Sequence, residues 1–271
     1  MKILTILTGL WAVFLAVPVL AGSVPEDVLT RMAAADVVIL GEVHDNPGHH
    51  ARQAAAVAAL GPAAMVWEML TPEAAARIDG AALPAADTLA AALNWANSGW
   101  PSFDMYYPIL VAGKVPVIGA QVPRAKVMGV VKGGASAVFG AGAADYGLTS
   151  PLSAKEQATR EAEQNAAHCN AMPVDRLSFL VDIQRLRDAV LARAVVAAFD
   201  EYGGPVVVIT GNGHARNDRG IAVYLHQVRP ALKVFVLGQS EGGQIDGEFG
   251  AVLDSPVVDR PDPCLAFQKQ G

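Results

Sequence analysis

The sequence contains few cysteines, few histidines and no cluster of basic residues. Its 271 residues include 2 Cys and 6 His, and 20 Lys and Arg are outnumbered by 26 Asp and Glu, which gives a net charge of −6. Because no basic run is present, we expect no nucleic-acid partner. The sequence also lacks internal repeats and heptads, which argues against a repeat architecture and against a coiled coil.

The scarcity of cysteine limits the chain to one intrachain disulfide, between Cys169 and Cys264. Such a bridge persists in an oxidising compartment. The sequence alone leaves the pairing open, because it does not show whether the two sulfur atoms meet in the fold.

The N-terminus has the pattern of an export signal. Met1-Lys2 precedes an apolar run that ends in small residues at Ala21. We predict a signal peptide over residues 1–21, cleaved after about Ala21, and a periplasmic or otherwise exported protein. A retained membrane anchor is the alternative, but the short run and Pro18 argue against it. Ser23 occupies a position near the cleavage site where lipoproteins carry Cys, so we predict that the chain is not lipidated.

Residues 22–271 have a length that suits one compact α/β domain. Short β-branched runs alternate with Ala-rich helical stretches, and the runs are almost continuously apolar. This pattern is typical of covered strands in a mostly parallel central sheet that is flanked by helices. We predict strands at Val37 to Gly41, Ala64 to Glu68, Val115 to Ala120, Pro205 to Thr210 and Lys233 to Leu237, and a weaker one near Val252 to Val258.

A helical insertion interrupts the predicted sheet over residues of about 145–202. Two long helical patterns, Ser153 to His168 and Pro173 to Tyr202, follow one another without a strand between them. A Gly-rich stretch with Gly133-Gly134 and "FGAGAADYG" forms a flexible lead into this insertion. Capping patterns at Asn46-Pro47, at Thr71-Pro72 and at Ser153 to Glu156 predict helix starts.

Polar side chains follow several predicted strands at the point where each strand ends. Two of these turns share the form Gly-x-x-His, in Gly41 to His44 and in Gly211 to His214, and Glu68 ends the second strand. Ligands of open parallel sheets lie beyond the carboxyl ends of the strands. The two imidazoles and the carboxylates of Glu42 and Glu68 suit either a divalent metal or a proton relay.

The alternative is that Glu42 and His44 only satisfy loop amides at a buried corner. His50 lies on the helix stripe that faces the sheet, so it is a further candidate for the same site as His44, whereas we expect His49 to point to solvent. For His50 a hydrogen bond to a neighbouring backbone group is an equally good interpretation.

Two arginines are candidates for an anionic ligand. Arg216 precedes a predicted helix N-terminus, where amide donors and a guanidinium both favour negative charge. Arg124 follows the third strand. Asp218 is a plausible cap of the helix after Arg216, which requires no function.

Aromatic residues are rare in the chain, at 6%, but they crowd the segment "NWANSGWPSFDMYYPIL". They can form ordinary core, and for the tryptophans this is the preferred interpretation. They can also line a flat apolar ligand, with a tyrosine phenol as an anionic ligand for ferric iron.

The sequence resembles the ChaN-like haem-binding proteins of the Tiki superfamily over nearly the whole mature chain. The resemblance implies an exported α/β protein of haem and iron uptake, with haem held between two subunits and with haem-transport components as partners. It assigns the iron ligand to Tyr106, with Tyr107 in reserve, and the broader superfamily implies a polar cleft around His44, His50, Glu68 and His214. It rests on the motifs "ILGEVHDNPGHHARQ", "WEM", "SGWPSFDMYYPIL", "HCN" with "DIQRLRDAVLARAV", and "GNGHARNDRG".

Two functional hypotheses follow from the sequence. In the first, the protein binds haem through Tyr106, and Arg216 or Arg124 binds a propionate. In the second, it is a metal-dependent hydrolase of the Tiki type. The metal would be held by Glu42, His44, Glu68 and His214, with His50 as a further candidate ligand. The sequence does not decide whether the protein is an enzyme.

Overall fold

The computed structural model describes residues 22–262 and 264–265. The predicted signal peptide lies outside the described residues. Within this part of the chain, no helix is both long enough and apolar enough to cross a membrane.

The core of the fold is one six-stranded sheet in which every strand pair is parallel. The strand order is β3-β2-β4-β1-β5-β6, so β1 lies between β4 and β5, and β2 is on the other side of β4. The prediction of a mostly parallel α/β sheet is confirmed. The strands are β1 (Val37–Leu40), β2 (Ala64–Trp67), β3 (Val117–Gly119), β4 (Val206–Ile209), β5 (Val234–Glu241) and β6 (Ala251–Ser255).

Helices cover both faces of the sheet. The structure has α1 (Glu26–Ala33), α2 (Pro47–Leu60), α3 (Pro72–Ala75), α4 (Ala86–Ala92), α5 (Phe103–Gly113), α6 (Arg124–Val127), α7 (Val130–Phe139), α8 (Ala154–Ala167), α9 (Val174–Tyr202) and α10 (Ile221–Val228), and a 3₁₀ turn at Trp95–Asn97.

Alternate residues of the strands divide the core into two clusters. Val37 and Ile39 pack with α7, α9 and α10 on one face. Val38 and Leu40 pack with α1, α2, α4 and α5 on the other face. Since side chains of a strand alternate between faces, a run of four apolar residues fills both layers, which is why the strands lack a polar alternation.

The predicted capping residues start their helices. The Asn46 side chain accepts from the amides of Gly48 and His49, and Pro47 follows as the first helical residue. Thr71 caps α3 and Ser153 caps α8 in the same way. These caps satisfy amide groups that have no partner within the first turn of a helix.

Four helices, α6 to α9, lie between β3 and β4. The described residues contain no strand in this interval. The predicted Gly-rich lead is partly helical, because α7 includes Gly133-Gly134 and changes direction at Gly134, where φ is 75°. The division into a domain and an insertion at about residue 145 stays a prediction.

A disulfide joins Cys169 to Cys264, with 5.5 Å between the Cα atoms. It ties the turn between α8 and α9 to the C-terminal tail. Arg260 also anchors this tail, because its guanidinium pairs with the carboxylates of Asp45 and Glu241 at 2.7–2.8 Å.

Candidate functional site

The polar ends of β1, β2 and β4 meet at the carboxyl edge of the sheet. These strands are neighbours, so the residues that follow them are brought together. Glu68 lies between the two imidazoles, with its Oε1 atom 3.4 Å from Nε2 of His214 and 3.9 Å from Nε2 of His44. The two Gly-x-x-His turns therefore contribute to one site, as the sequence predicts. The site consists of Glu42, His44, His50, Glu68, Tyr106, Asp188 and His214 and is called the edge cluster below.

Glu68 is the central carboxylate of the edge cluster. Its Oε2 atom accepts from the Thr210 hydroxyl and from the Gly211 amide, both at 2.7 Å. Burial favours the neutral carboxyl, but the positive charge and the hydrogen bond of His214 outweigh burial and hold the pKa of Glu68 well below its usual range. Glu68 is therefore an anion at neutral pH.

His214 is held as a buried cation. Its Nδ1 atom donates to Asp188 at 2.6 Å, and its Nε2 atom faces Glu68. Burial lowers the pKa of an imidazole, but the charges of Glu68 and Asp188 outweigh it and raise the pKa of His214 to about 10. Burial also raises the pKa of Asp188, although the charge of His214 opposes this.

Asp188 is a residue that the sequence analysis missed. It lies on α9 and is 1% exposed, among apolar neighbours such as Leu186 and Ala189. The sequence does contain a signal for this residue, because Asp188 lies on the apolar stripe of its helix. An acid at such a position is rarely buried without a partner, so it indicates a buried ion pair.

His44 is the accessible member of the edge cluster, with 32% of its side chain exposed. Its Nδ1 atom donates to Glu42 at 2.7 Å, and the Trp100 ring lies 4.8 Å from the imidazole ring. Burial lowers the pKa of His44, but the hydrogen bond to Glu42 and the charge of Glu68 give a net increase.

Glu42 organises the other side of the edge cluster. Its Oε1 atom accepts from the Tyr106 phenol at 3.0 Å, and its Oε2 atom accepts from the Gln53 amide at 2.7 Å. His50 is buried, and its Nε2 atom donates to the carbonyl of His44 at 2.8 Å. This bond is the backbone contact that the sequence analysis weighed for His50, although the ring also lies within the cluster, with Nδ1 3.6 Å from Glu42.

The expectation that His49 points to solvent is wrong. The side chain is fully buried. Its Nδ1 atom accepts from the Val43 amide at 2.9 Å, and its Nε2 atom donates to the Ser240 carbonyl at 3.1 Å. His49 therefore satisfies one backbone amide and one backbone carbonyl at a buried corner, and burial lowers its pKa.

Glycine is required in the two Gly-x-x-His turns because of close contacts. Neither Gly41 nor Gly211 has a positive φ. A Cβ atom at Gly211 would lie 2.8 Å from Nε2 of His44, and one at Gly41 would lie 2.4 Å from the Asn212 side chain. The absence of a side chain at Gly211 lets His44 approach the β4 turn.

The two tyrosines that the sequence nominates have different environments. The Tyr106 side chain is fully buried among His50, Trp67 and Trp95. Burial and the adjacent Glu42 raise the pKa of its phenol far above the usual range. The Tyr107 side chain is half-buried, and its hydroxyl donates to the Pro84 carbonyl at 2.9 Å.

The two nominated arginines also differ. Arg216 is nearly buried and forms a two-nitrogen ion pair with Asp218. Asp218 is therefore an ion-pair partner and not the helix cap, which is Gly220. Arg124 is exposed at the start of α6.

Arg216 lines a cavity of about 480 Å³ between α8, α9 and the β4–α10 loop. Arg160 and Arg219 line the same cavity, and only 10–15% of each of the three arginine side chains is exposed. The apolar lining comes from Ala166, Ala167 and Val181.

The described residues contain no group of three or more His, Cys, Asp or Glu side chains arranged to hold a metal ion. Within the edge cluster, His44 pairs with Glu42 and His214 pairs with Asp188. The divalent-metal assignment of Glu42, His44, His50, Glu68 and His214 is therefore unsupported by geometry, and the hydrolase hypothesis is not favoured.

Comparison with known proteins gives one family and two structural neighbours. The family model for haem-binding uptake, Tiki superfamily, ChaN matches residues 28–225. The solved structure of ChaN of Campylobacter jejuni, described by its cofacial haem binding, has a TM-score of 0.61 and 22% identity, and covers 82% of this chain and 87% of that chain. At this identity the likeness shows a shared fold.

A succinoglycan biosynthesis protein has a TM-score of 0.41 and 13% identity, with 80% of this chain and 68% of that chain covered. A TM-score at this level carries no argument about fold or function. No curated protein sequence matches the chain.

Proposed function

Because the chain belongs to the haem-binding uptake family of the Tiki superfamily, we propose that it binds haem and acts in haem and iron uptake. The observation that carries the proposal is the family match over residues 28–225, which includes β1 to β4 and the whole edge cluster. Cofacial haem binding by ChaN of Campylobacter jejuni, which shares the fold, supports it.

The cavity beside Arg216 fits part of a haem. A haem presents a flat apolar ring and two propionates, and the cavity combines an apolar wall with three guanidinium groups. Each guanidinium also pairs with a carboxylate, and the acids Glu163 and Asp246 line the cavity too. Its volume of about 480 Å³ is within the range of small-molecule sites. Arg216 remains our candidate for a propionate, and the exposed Arg124 is the alternative. When bound, haem would supply a ferric iron that takes an anionic oxygen ligand.

We assign the iron ligand to Tyr107 rather than to Tyr106. A phenol that ligates iron must lose its proton and reach the open face of a wide ring. Tyr106 is fully buried and donates to the anion Glu42, which opposes loss of the phenol proton. The Tyr107 hydroxyl has only a carbonyl partner and lies near the surface. Ligation by either tyrosine stays a prediction.

The positions of these residues favour haem held between two subunits. Tyr107 belongs to α5, which packs on α2 at one face of the sheet. The Arg216 cavity is bounded by α8 and α9, and α9 packs on the other face. One chain therefore presents the ligand and the propionate site on different sides, and a homodimer can combine them at one interface.

Matched tyrosine variants test the ligand assignment. In hemin-loaded protein, Tyr107→Phe should lose the tyrosinate-to-iron absorption band, and hemin affinity should fall by at least about tenfold, or ~1.4 kcal/mol. Tyr106→Phe is the matched control, because it removes the same phenol oxygen from the residue that precedes Tyr107. We expect it to keep the band. Loss of the band in Tyr106→Phe alone would reassign the ligand to Tyr106, and an unchanged band in both variants would exclude both tyrosines.

We further propose that the protein is exported and receives haem from, or passes it to, haem-transport components. The Cys169–Cys264 disulfide supports export, because such bridges persist in oxidising compartments. Mass determination of the protein purified from its native host tests the predicted cleavage after about Ala21. An intact N-terminus would contradict it.

A further inference from the structure

Two adjoining cavities lie at the carboxyl end of β3, beside the edge cluster. The inner cavity has a volume of about 80 Å³ and the outer one about 120 Å³. Gln121 and Val122 line both cavities, so the two are adjacent, and we call them together the β3 cleft. Glu68, Trp100 and Arg187 line its inner part, and Glu73, Lys126 and Arg193 line its outer part.

The inner part of the β3 cleft contains donors that the protein does not use. The Nε1 atom of Trp100 is buried and has no hydrogen-bond partner. Among the described residues, the guanidinium of Arg187 has neither an ion-pair partner nor a hydrogen bond, and the Gln121 side chain has none either. Buried N–H groups are almost always hydrogen-bonded in folded proteins. Of these donors, Trp100 Nε1 is the buried one, since the Arg187 side chain is exposed and Gln121 is partly buried. A buried indole N–H that faces a cavity without a partner indicates an acceptor that is not part of the chain.

The charge around the β3 cleft favours an anionic acceptor. No Asp or Glu occurs between Asp104 and Asp145, although the whole chain has 26 of them. This segment provides α6, whose Lys126 faces the cleft, while α9 contributes Arg187 and Arg193. The outer part contains one acid, Glu73, against two cations.

The negative charge of Glu68, which lines the inner part of the cleft, is offset by the cationic His214 beside it. Both oxygens of this carboxylate are already engaged, with Oε2 bound to Thr210 and Gly211 and Oε1 facing His214 and His44. Of the two charged residues that line the inner part, Glu68 and Arg187, Arg187 is the one without an ion-pair partner. Guanidinium and indole N–H groups together suit a planar carboxylate, which accepts two bonds in one plane.

We propose that the β3 cleft binds a small organic dicarboxylate. One carboxylate would accept from Trp100 Nε1 and Arg187 in the inner part. The second would pair with Lys126 and Arg193 in the outer part. The two cavities are small compared with sites for drug-sized ligands, so the ligand is a short aliphatic acid. The test of this site uses the protein without haem, so it does not depend on haem binding.

Succinate is the probe, and the indole N–H resonance of Trp100 is the readout, assigned by its absence in Trp100→Phe. We expect a saturable shift of this resonance on addition of succinate to the isotope-labelled protein. Arg187→Gln should weaken binding by about tenfold or more, since it removes a charged donor. Arg176→Gln is the matched control, because Arg176 is on the same helix but outside the cleft, and it should bind succinate normally.

Further experiments test the outer part of the cleft and the chemical class of the ligand. Lys126→Gln should weaken succinate binding, whereas Lys132→Gln, an exposed lysine in the adjacent helix that does not line the cleft, should not. Acetate, with one carboxylate, should bind more weakly than succinate. The proposal is overturned if no saturable shift occurs at succinate concentrations that would saturate a site with a millimolar dissociation constant. It is also overturned if Arg187→Gln and Arg176→Gln bind succinate with the same affinity. Equal affinity for succinate, acetate and inorganic phosphate would also overturn it.

Discussion

Replacement of Asp188 by alanine is expected to lower the free energy of unfolding by about 3–5 kcal/mol, because it leaves a buried cation without its closest partner. His214 is 6% exposed, and its Nδ1 atom lies 2.6 Å from Asp188. In the variant, Glu68 is the remaining carboxylate beside the imidazole. Urea denaturation at pH 7, analysed by linear extrapolation, measures the loss.

Two controls separate the ion pair from general damage to α9. Asp182→Ala removes an acid from the same helix whose side chain is 36% exposed, and it should cost about 1 kcal/mol or less. Asp188→Asn keeps a polar side chain at the position and should cost less than Asp188→Ala. A loss in Asp188→Ala no larger than that in Asp182→Ala would contradict a buried charged pair.

The same pair gives the wild-type protein a pH dependence. Because the pKa of His214 is raised to about 10 in the folded state, its contribution to stability is fully present below the unfolded pKa of about 6.5. It is lost as the pH rises through about 10. The free energy of unfolding should therefore fall between pH 7 and pH 10, and the fall should be smaller in Asp188→Ala.

Removal of the disulfide, in Cys169→Ser with Cys264→Ser, is expected to lower the free energy of unfolding by ~2–4 kcal/mol. The bridge links residues 95 positions apart, so it restricts a long loop of the unfolded chain. The enclosed segment includes β4, α10, β5 and β6. Urea denaturation of the double variant, compared with the oxidised wild-type protein, measures the effect.

Reduction of the wild-type protein serves as the control for this prediction. It removes the bridge without a change of sequence, so the reduced wild type and the double variant should have similar stabilities. The Arg260 ion pairs with Asp45 and Glu241 still hold the tail in both. Equal stability of the oxidised and reduced protein would show that the bridge contributes nothing to folding.

Much of the fold could be predicted from the sequence because covered parallel strands leave a strong apolar signal. All six strands occur where they were predicted, with ends that differ by a few residues. The largest difference is in β5, which continues past Leu237 to Glu241. Its polar end pairs with β6, and Gln239 is buried because its side chain bonds to Arg52 and to the Gly41 carbonyl. Hydrophobicity does not reveal a strand whose burial depends on hydrogen bonds.

The candidate site could be predicted only in part, and the failures have a common cause. Strand ends locate Glu42, Glu68 and the two histidines of the Gly-x-x-His turns, because topology brings strand ends together. Helix residues are harder to assign, since their partners depend on packing. Asp188 was missed and His49 was placed in solvent for this reason.

Equilibrium titration of the purified wild-type protein with hemin, followed through the Soret band, tests the central claim most directly. We predict a saturable shift of the Soret band relative to free hemin, as expected for a member of the haem-binding uptake family. A spectrum that remains the sum of free hemin and protein at every ratio would contradict haem binding by this chain.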